Sequence, residues 1–117
     1  THMAENTSGP SREAIRQVCR DYAEGFFEGD ADRLRGALHP MLEKRTVEED
    51  GLDSLGRDDL VEIATGEERE TPGITVEAID VYDGTAMAKI VSEYVDYAHL
   101  ARVDDEWKIV NVLWEPK

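Results

Sequence analysis

From Ser11 the apolar residues Ile15, Val18, Cys19, Tyr22 and Phe26 recur at spacings of three and four, which predicts one long helix with a single buried stripe. Gly29 ends it. Asp30 reads as the N-cap of a second, shorter helix with Ala31, Leu34 and Leu38 on its inner side, and Pro40 stops that helix at or before His39. The two helices form a hairpin through Glu28-Gly29-Asp30. Met41 to Glu48 reads as a short strand followed by a turn at Asp50-Gly51. Asp58 to Thr65 reads as a third helix, with Leu60, Ile63 and Ala64 facing inward and Gly66 just past its end.

From Ile74 the pattern changes to that of strands. Ile74 to Tyr82 meets the turn Asp83-Gly84, and Thr85 onward returns from it. The apolar phase slips between Ala78 and Ile79, which predicts a bulge. A single strand from Thr85 to Val103 would run about 60 Å at ~3.3 Å per residue, too long for so small a domain, so a reversal is expected near Ser92-Glu93. A strand from Tyr94 to Val103, a turn at Asp104-Asp105 and a closing strand from Trp107 complete the chain. In that last strand Trp107, Ile109 and Leu113 alternate with Val110, Val112 and Trp114, so both faces are apolar and each needs a cover. Helices followed by hairpins predict an α+β fold with the N-terminal helices packed on one face of a strongly curved antiparallel sheet. Residues 1–10, opening with a remnant foreign to the domain, are expected to be a disordered N-terminal segment, and 11–117 the domain itself.

Charge narrows the partners. Of 117 residues, Lys and Arg supply 13 and Asp and Glu 27, a formal net charge of -14. With no basic stripe to interrupt it, that excess repels phosphate backbones and anionic lipid heads, so neither nucleic acid nor a membrane is an expected partner. No apolar run approaches the roughly 20 residues that span a bilayer. Cys19 is the only cysteine, which excludes an internal disulfide and fits a cytoplasmic location. His39 and His99 show no metal-ligand spacing, and no glycine-rich phosphate loop follows a strand, so no metal and no cofactor is expected.

Two segments carry a family likeness: Tyr22 to Pro40 with the following Lys44-Arg45, and Tyr94 to Trp114. Together they resemble the putative lumazine-binding family of the nuclear transport factor 2-like, cystatin-like superfamily. The resemblance implies a cone, in which a bent sheet wraps around helices, leaves a ligand cavity at its wide end and dimerises through its outer face. Within that frame, a two-residue turn at Asp104-Asp105 sets Ala101 against Lys108 and His99 against Val110, whereas a three-residue loop would set His99 against Asn111 and undo the division of faces that follows. Val95, Tyr97, His99, Ala101, Val110, Val112 and Trp114 are then assigned to the cavity. Leu100, Trp107, Ile109, Asn111 and Leu113 are assigned to a homodimer contact.

The superfamily includes ketosteroid isomerase, and alignment through the helical hairpin and the last β-hairpin implies Tyr22 and His99 as hydrogen-bond donors to an enolate and Glu48 or Glu49 as base. A carboxylate in an apolar pocket has its charged form disfavoured, which poises it to take a proton. Each also has a plainer reading: Tyr22 as a satisfied core residue, His99 as a hydrogen-bonded wall residue, Glu48 as part of a solvated acidic run. Phe26, Tyr97, Val112 and Trp114 are candidate walls for a small apolar or aromatic ligand. His39, at the end of the second helix, is a further candidate ligand contact, with the plainer reading that it bonds a terminal carbonyl, and Arg45 belongs to a dibasic step that could meet an anionic ligand at the cavity mouth. Three functions remain: a small-molecule-binding cone, an isomerase, dehydratase or cyclase on that scaffold, and a dimeric interaction module with a filled cavity.

Overall fold

The computed structural model describes residues 2–117, with side chains from residue 9 onward. Helix α1 (His2–Glu28) starts before Ser11 and includes Pro10. Its stripe is the expected one: Ile15, Cys19 and Tyr22 are buried, and Val18 and Phe26 pack beside them. Gly29 adopts a positive φ of 68°, and a Cβ there would come within 3.0 Å of the Ala64 carbonyl oxygen, so the residue that ends α1 also lets the chain pass close to the third helix. Asp30 caps α2 (Ala31–Ala37), its side chain accepting from the Arg33 amide at 3.1 Å. Arg33 turns back to pair with Asp21 at 3.0 Å, Glu24 at 2.5 Å and Glu28 at 3.2 Å, which locks the hairpin.

Six strands follow around one further helix: β1 (Leu38–Glu48), β2 (Gly51–Leu55), α3 (Arg57–Thr65), β3 (Thr75–Val81), β4 (Thr85–Val91), β5 (Tyr94–Val103) and β6 (Glu106–Pro116). The sheet order is β2-β1-β6-β5-β4-β3, and the helices pack on its inner face. It is antiparallel except where β1 runs parallel to β6, a mixed pairing made possible because α3 and the β3–β5 meander intervene between them. The inner side of α3 is Leu60, Val61 and Ala64; Ile63, expected inside, is 41% exposed. The phase slip in β3 is real, an irregularity between Val76 and Ile79. Among the described residues no helix is long and apolar enough to cross a membrane.

The two apolar faces of the last strand have a different cause from the one expected. The turn is as predicted, with Val103 opposite Glu106 and both Asp104 and Asp105 at positive φ, the backbone of a tight two-residue hairpin. Between His99 and Leu100, however, the register shifts: Leu100 pairs with Ile109 but His99 with Asn111, leaving Val110 as an extra residue. A bulge of this kind reverses which alternate residues face inward. Trp107 and Ile109 before it, and Val112 and Trp114 after it, therefore all face the helices. One buried face, written in two phases, accounts for Trp107, Ile109, Val112 and Trp114, and leaves Leu113 on the outer face.

This corrects the assignment of faces. Leu100, Trp107 and Ile109, expected at a dimer contact, are buried in the single chain's own core. Tyr97 and His99, expected in the cavity, lie on the outer face, Tyr97 being 43% exposed. Val112 and Trp114 are on the inner side as expected, and Asn111 and Leu113 on the outer.

Candidate functional site

Three adjacent strands bring unlike residues to one place on the inner face. In β6, Val112 and Trp114 are inward; β1 sets Lys44 beside Val112, and β5 sets Asp96 beside Trp114. Both charged residues are buried, Lys44 at 7% exposure and Asp96 at 6%. From α1, Tyr22 donates its hydroxyl hydrogen bond to Asp96 Oδ2. Lys44 Nζ lies 5.2 Å from the centroid of the Tyr22 ring and 5.3 Å from those of Phe26 and Trp114, an aromatic frame around an ammonium. No carboxylate comes within 4.0 Å of Nζ among the described residues, which sets Lys44 apart from Lys89, paired with Glu77, and Lys108, paired with Glu106.

Burial governs the proton affinities. It lowers the Lys44 pKa from 10.5, with the Asp96 charge acting in the opposite sense. It raises that of Asp96 from 3.8, opposed by the Lys44 charge and the Tyr22 hydrogen bond. Tyr22 is pushed well above 10.0 by burial and then by the neighbouring Asp96, so it stays a donor. Desolvation thus drives both members of the Lys44–Asp96 pair toward their neutral forms.

The inner site opens into two adjoining cavities. One, of about 240 Å³, lies between α1, α3 and the sheet, with Phe26, Leu60, Tyr94 and Arg69 among its walls. The other, of about 260 Å³, runs along β1 and β2 past Thr46, Glu48 and Asp53. Lys44, Leu55 and Trp114 line both. Tyr94 extends the aromatic wall, stacked on Phe27 at 6.1 Å and edge-on to Trp114 at 5.1 Å. Arg69 holds the chain beyond α3 in place: it donates to the Ala64 and Ile63 carbonyls at 3.1 and 3.2 Å, and its guanidinium sits 4.6 Å from the Phe26 ring centroid. A larger hollow, about 440 Å³, lies on the opposite, outer face around Met87, His99 and Val110. Neither of the buried charged residues, Lys44 and Asp96, reaches it.

Of the residues expected to act, Phe26 and Trp114 wall the inner cavity, Val112 is buried beneath it, and Tyr22 is buried with its partner Asp96, neither of them lining a cavity. Tyr22, His99 and Glu48 are not brought together. His99 is across the sheet, its Nδ1 3.1 Å from Asn111 Nδ2, and Glu48 is exposed near the end of β1. Arg45 is also outward, donating to Asn111 Oδ1 at 2.7 Å and pairing with Glu43 at 2.6 Å. His39 accepts from the Met41 amide at 3.0 Å and lines neither inner cavity. The bulge exchanges the faces that the isomerase alignment assumed for β5, and the acidic residue beside Tyr22 is Asp96; in β1 the inward member of the dibasic step is Lys44. A signal for both existed. Asp96 and Arg102 are the charges in phase with Ala98 and Leu100, Asp96 on the side of that pair away from the exposed end of β5, and Lys44 is in phase with Leu42. Among the described residues no group of three or more His, Cys, Asp or Glu side chains is placed to hold a metal.

A bent mixed sheet around a helical hairpin, with its cavity on the helical side, is the nuclear transport factor 2-like, cystatin-like cone. Solved structures share it: a protein of unknown function from Silicibacter pomeroyi is 14% identical with a TM-score of 0.85, covering 94% of this chain and 98% of its own. A second protein of unknown function, from Methylobacillus flagellatus, is 20% identical with a TM-score of 0.80, covering 92% and 93%. A putative ketosteroid isomerase from Shewanella frigidimarina is 15% identical with a TM-score of 0.66, covering 87% and 94%. Within that fold, the chain belongs to the family described as Putative lumazine-binding, whose profile matches residues 10–115. No curated protein matches it.

Proposed function

We propose that the protein binds a small, flat aromatic molecule in the inner cavity, with Trp114, Phe26 and Tyr94 as walls and Lys44 as the polar group that orients it. The observation that carries this is Lys44 itself: a buried cation lining both cavities with no carboxylate at ion-pair distance keeps its N–H donors for an occupant. The binding reading gains over the isomerase reading because Tyr22, His99 and Glu48 do not converge on a common point. The family description points to a small heterocycle as well, without fixing which one.

The functional unit on this reading is a homodimer in a reducing, cytoplasmic setting. Met87, Tyr97 and Leu113 on the outer face, each between 42% and 45% exposed, are the apolar surface that supports a second copy there. The outer hollow then belongs to the subunit contact and not to the ligand.

N-phenyl-1-naphthylamine, a neutral fluorophore of two linked aromatic units, tests the cavity. Its emission is expected to rise on mixing with the protein, and Trp114→Ala should weaken binding by about tenfold, the loss of roughly 1.4 kcal/mol of ring contact. No fluorescence change with the folded protein, or equal binding to Trp114→Ala, contradicts the proposal.

A further inference from the structure

We propose that Lys44 is a covalent capture residue, forming an imine with a small aromatic aldehyde seated in the inner cavity. This rests on the binding reading above and names the class of ligand. A lysine placed only to fill space would be better replaced by an apolar residue, and one placed only to neutralise charge would touch its carboxylate. Lys44 does neither: it is 7% exposed, borders two cavities and stands among three rings, with Asp96 nearby but beyond 4.0 Å. Nucleophilic lysines are found in such surroundings, where an apolar pocket keeps part of the amine neutral and a neighbouring acid serves the later steps. Burial lowers the proton affinity of Lys44 and raises that of Asp96, both toward the neutral form, against the attraction of their charges.

The chemistry balances with the groups present. The Nζ lone pair attacks the aldehyde carbon, and the C–O double bond becomes a carbinolamine hydroxyl, taking up a proton released by the nitrogen. Asp96, in its acid form, gives its proton to that hydroxyl as the C–O bond breaks and water leaves. The products are a protonated imine on Lys44, an Asp96 carboxylate as its counter-ion and one water, with no oxidant or reductant required. Tyr22 holds the Asp96 carboxyl by donating to Oδ2 throughout. The buried charge is zero before and after the step, whereas an anionic ligand would leave uncompensated charge in a low-dielectric site.

The chain carries its own controls in Lys89, Lys108 and Lys117. The intact protein is treated with 2-naphthaldehyde and sodium cyanoborohydride, which fixes any imine as a stable amine, and the labelled lysines are located by peptide mass spectrometry. Lys44 is expected to label at least about tenfold faster than the other three, the least that holding aldehyde beside amine provides. An excess of 2-methylnaphthalene, which has the shape but no carbonyl, should protect Lys44 alone, and Asp96→Asn should slow labelling at Lys44 alone. Labelling of Lys44 no faster than of Lys89 or Lys117 overturns the proposal. N-phenyl-1-naphthylamine binding separates the two failures: if it binds while Lys44 stays unlabelled, the cavity reading stands and the covalent step is wrong. If neither occurs, both are wrong.

Discussion

Trp107→Glu is expected to leave the chain unfolded, and Leu113→Glu to leave it folded and, on the proposed dimer, monomeric. On β6 the two positions differ in what covers them: Trp107 is 6% exposed under the helical layer, and Leu113 is 42% exposed on the outer face. Emptying a buried tryptophan site costs about 3–5 kcal/mol, and an unpaired buried carboxylate adds several more, against a total stability of about 5–15 kcal/mol for a domain of this kind. At Leu113 a carboxylate stays in water in the single chain, and its cost falls only on an interface with a second copy. Circular dichroism reads the first effect and sedimentation velocity the second. A Trp107→Glu variant that stays folded as a monomer would restore the opposite assignment of faces.

Asp96→Ala is the second large effect. The substitution removes the acceptor of the Tyr22 hydroxyl and the charge opposite Lys44, leaving two buried polar groups without compensation. A buried hydroxyl left without its acceptor costs about 1–3 kcal/mol, and the loss of the group facing Lys44 adds to that, whereas an exposed carboxylate is worth at most about 1 kcal/mol. Asp96→Asn, which keeps an oxygen for Tyr22, should recover part of the loss. Urea unfolding measures both, and a loss below about 1 kcal/mol for Asp96→Ala would show that the three residues do not form one unit.

The elements of this fold were legible because their signals are local. Periodicity gave α1, Asp30 and Gly29 gave the turn into α2, and Asp83-Gly84 and Asp104-Asp105 gave two hairpins, each set by residues within a few positions of one another. The parity of β6 was not legible, because the bulge at Val110 is specified by packing across the sheet and no glycine marks it. That single residue exchanges the two faces of β5, so that His99 was placed inside and Asp96 outside. A similar limit applied in β1, where Lys44 and Arg45 are indistinguishable by composition and differ only in which way the strand presents them. Val61 and Ile63 in α3 illustrate the same point: both are apolar, and only the tertiary contact decides which is inside. An aspartate or lysine in the apolar phase of a strand is therefore the signal to weigh in such chains, since burying it is costly unless something faces it.

Lys44 is enclosed on the inner face, and its own titration reads that enclosure. Burial lowers the Lys44 pKa below 10.5, so the folded protein releases this proton before the unfolded chain does. Charged Lys44 accordingly costs stability at lower pH, and that stability returns as pH rises through the folded pKa toward 10.5. The ¹³Cε resonance of Lys44, assigned by its loss in Lys44→Arg, is expected to titrate with a midpoint below 10.5. A midpoint at or above 10.5 would place the amine in water and contradict the site described.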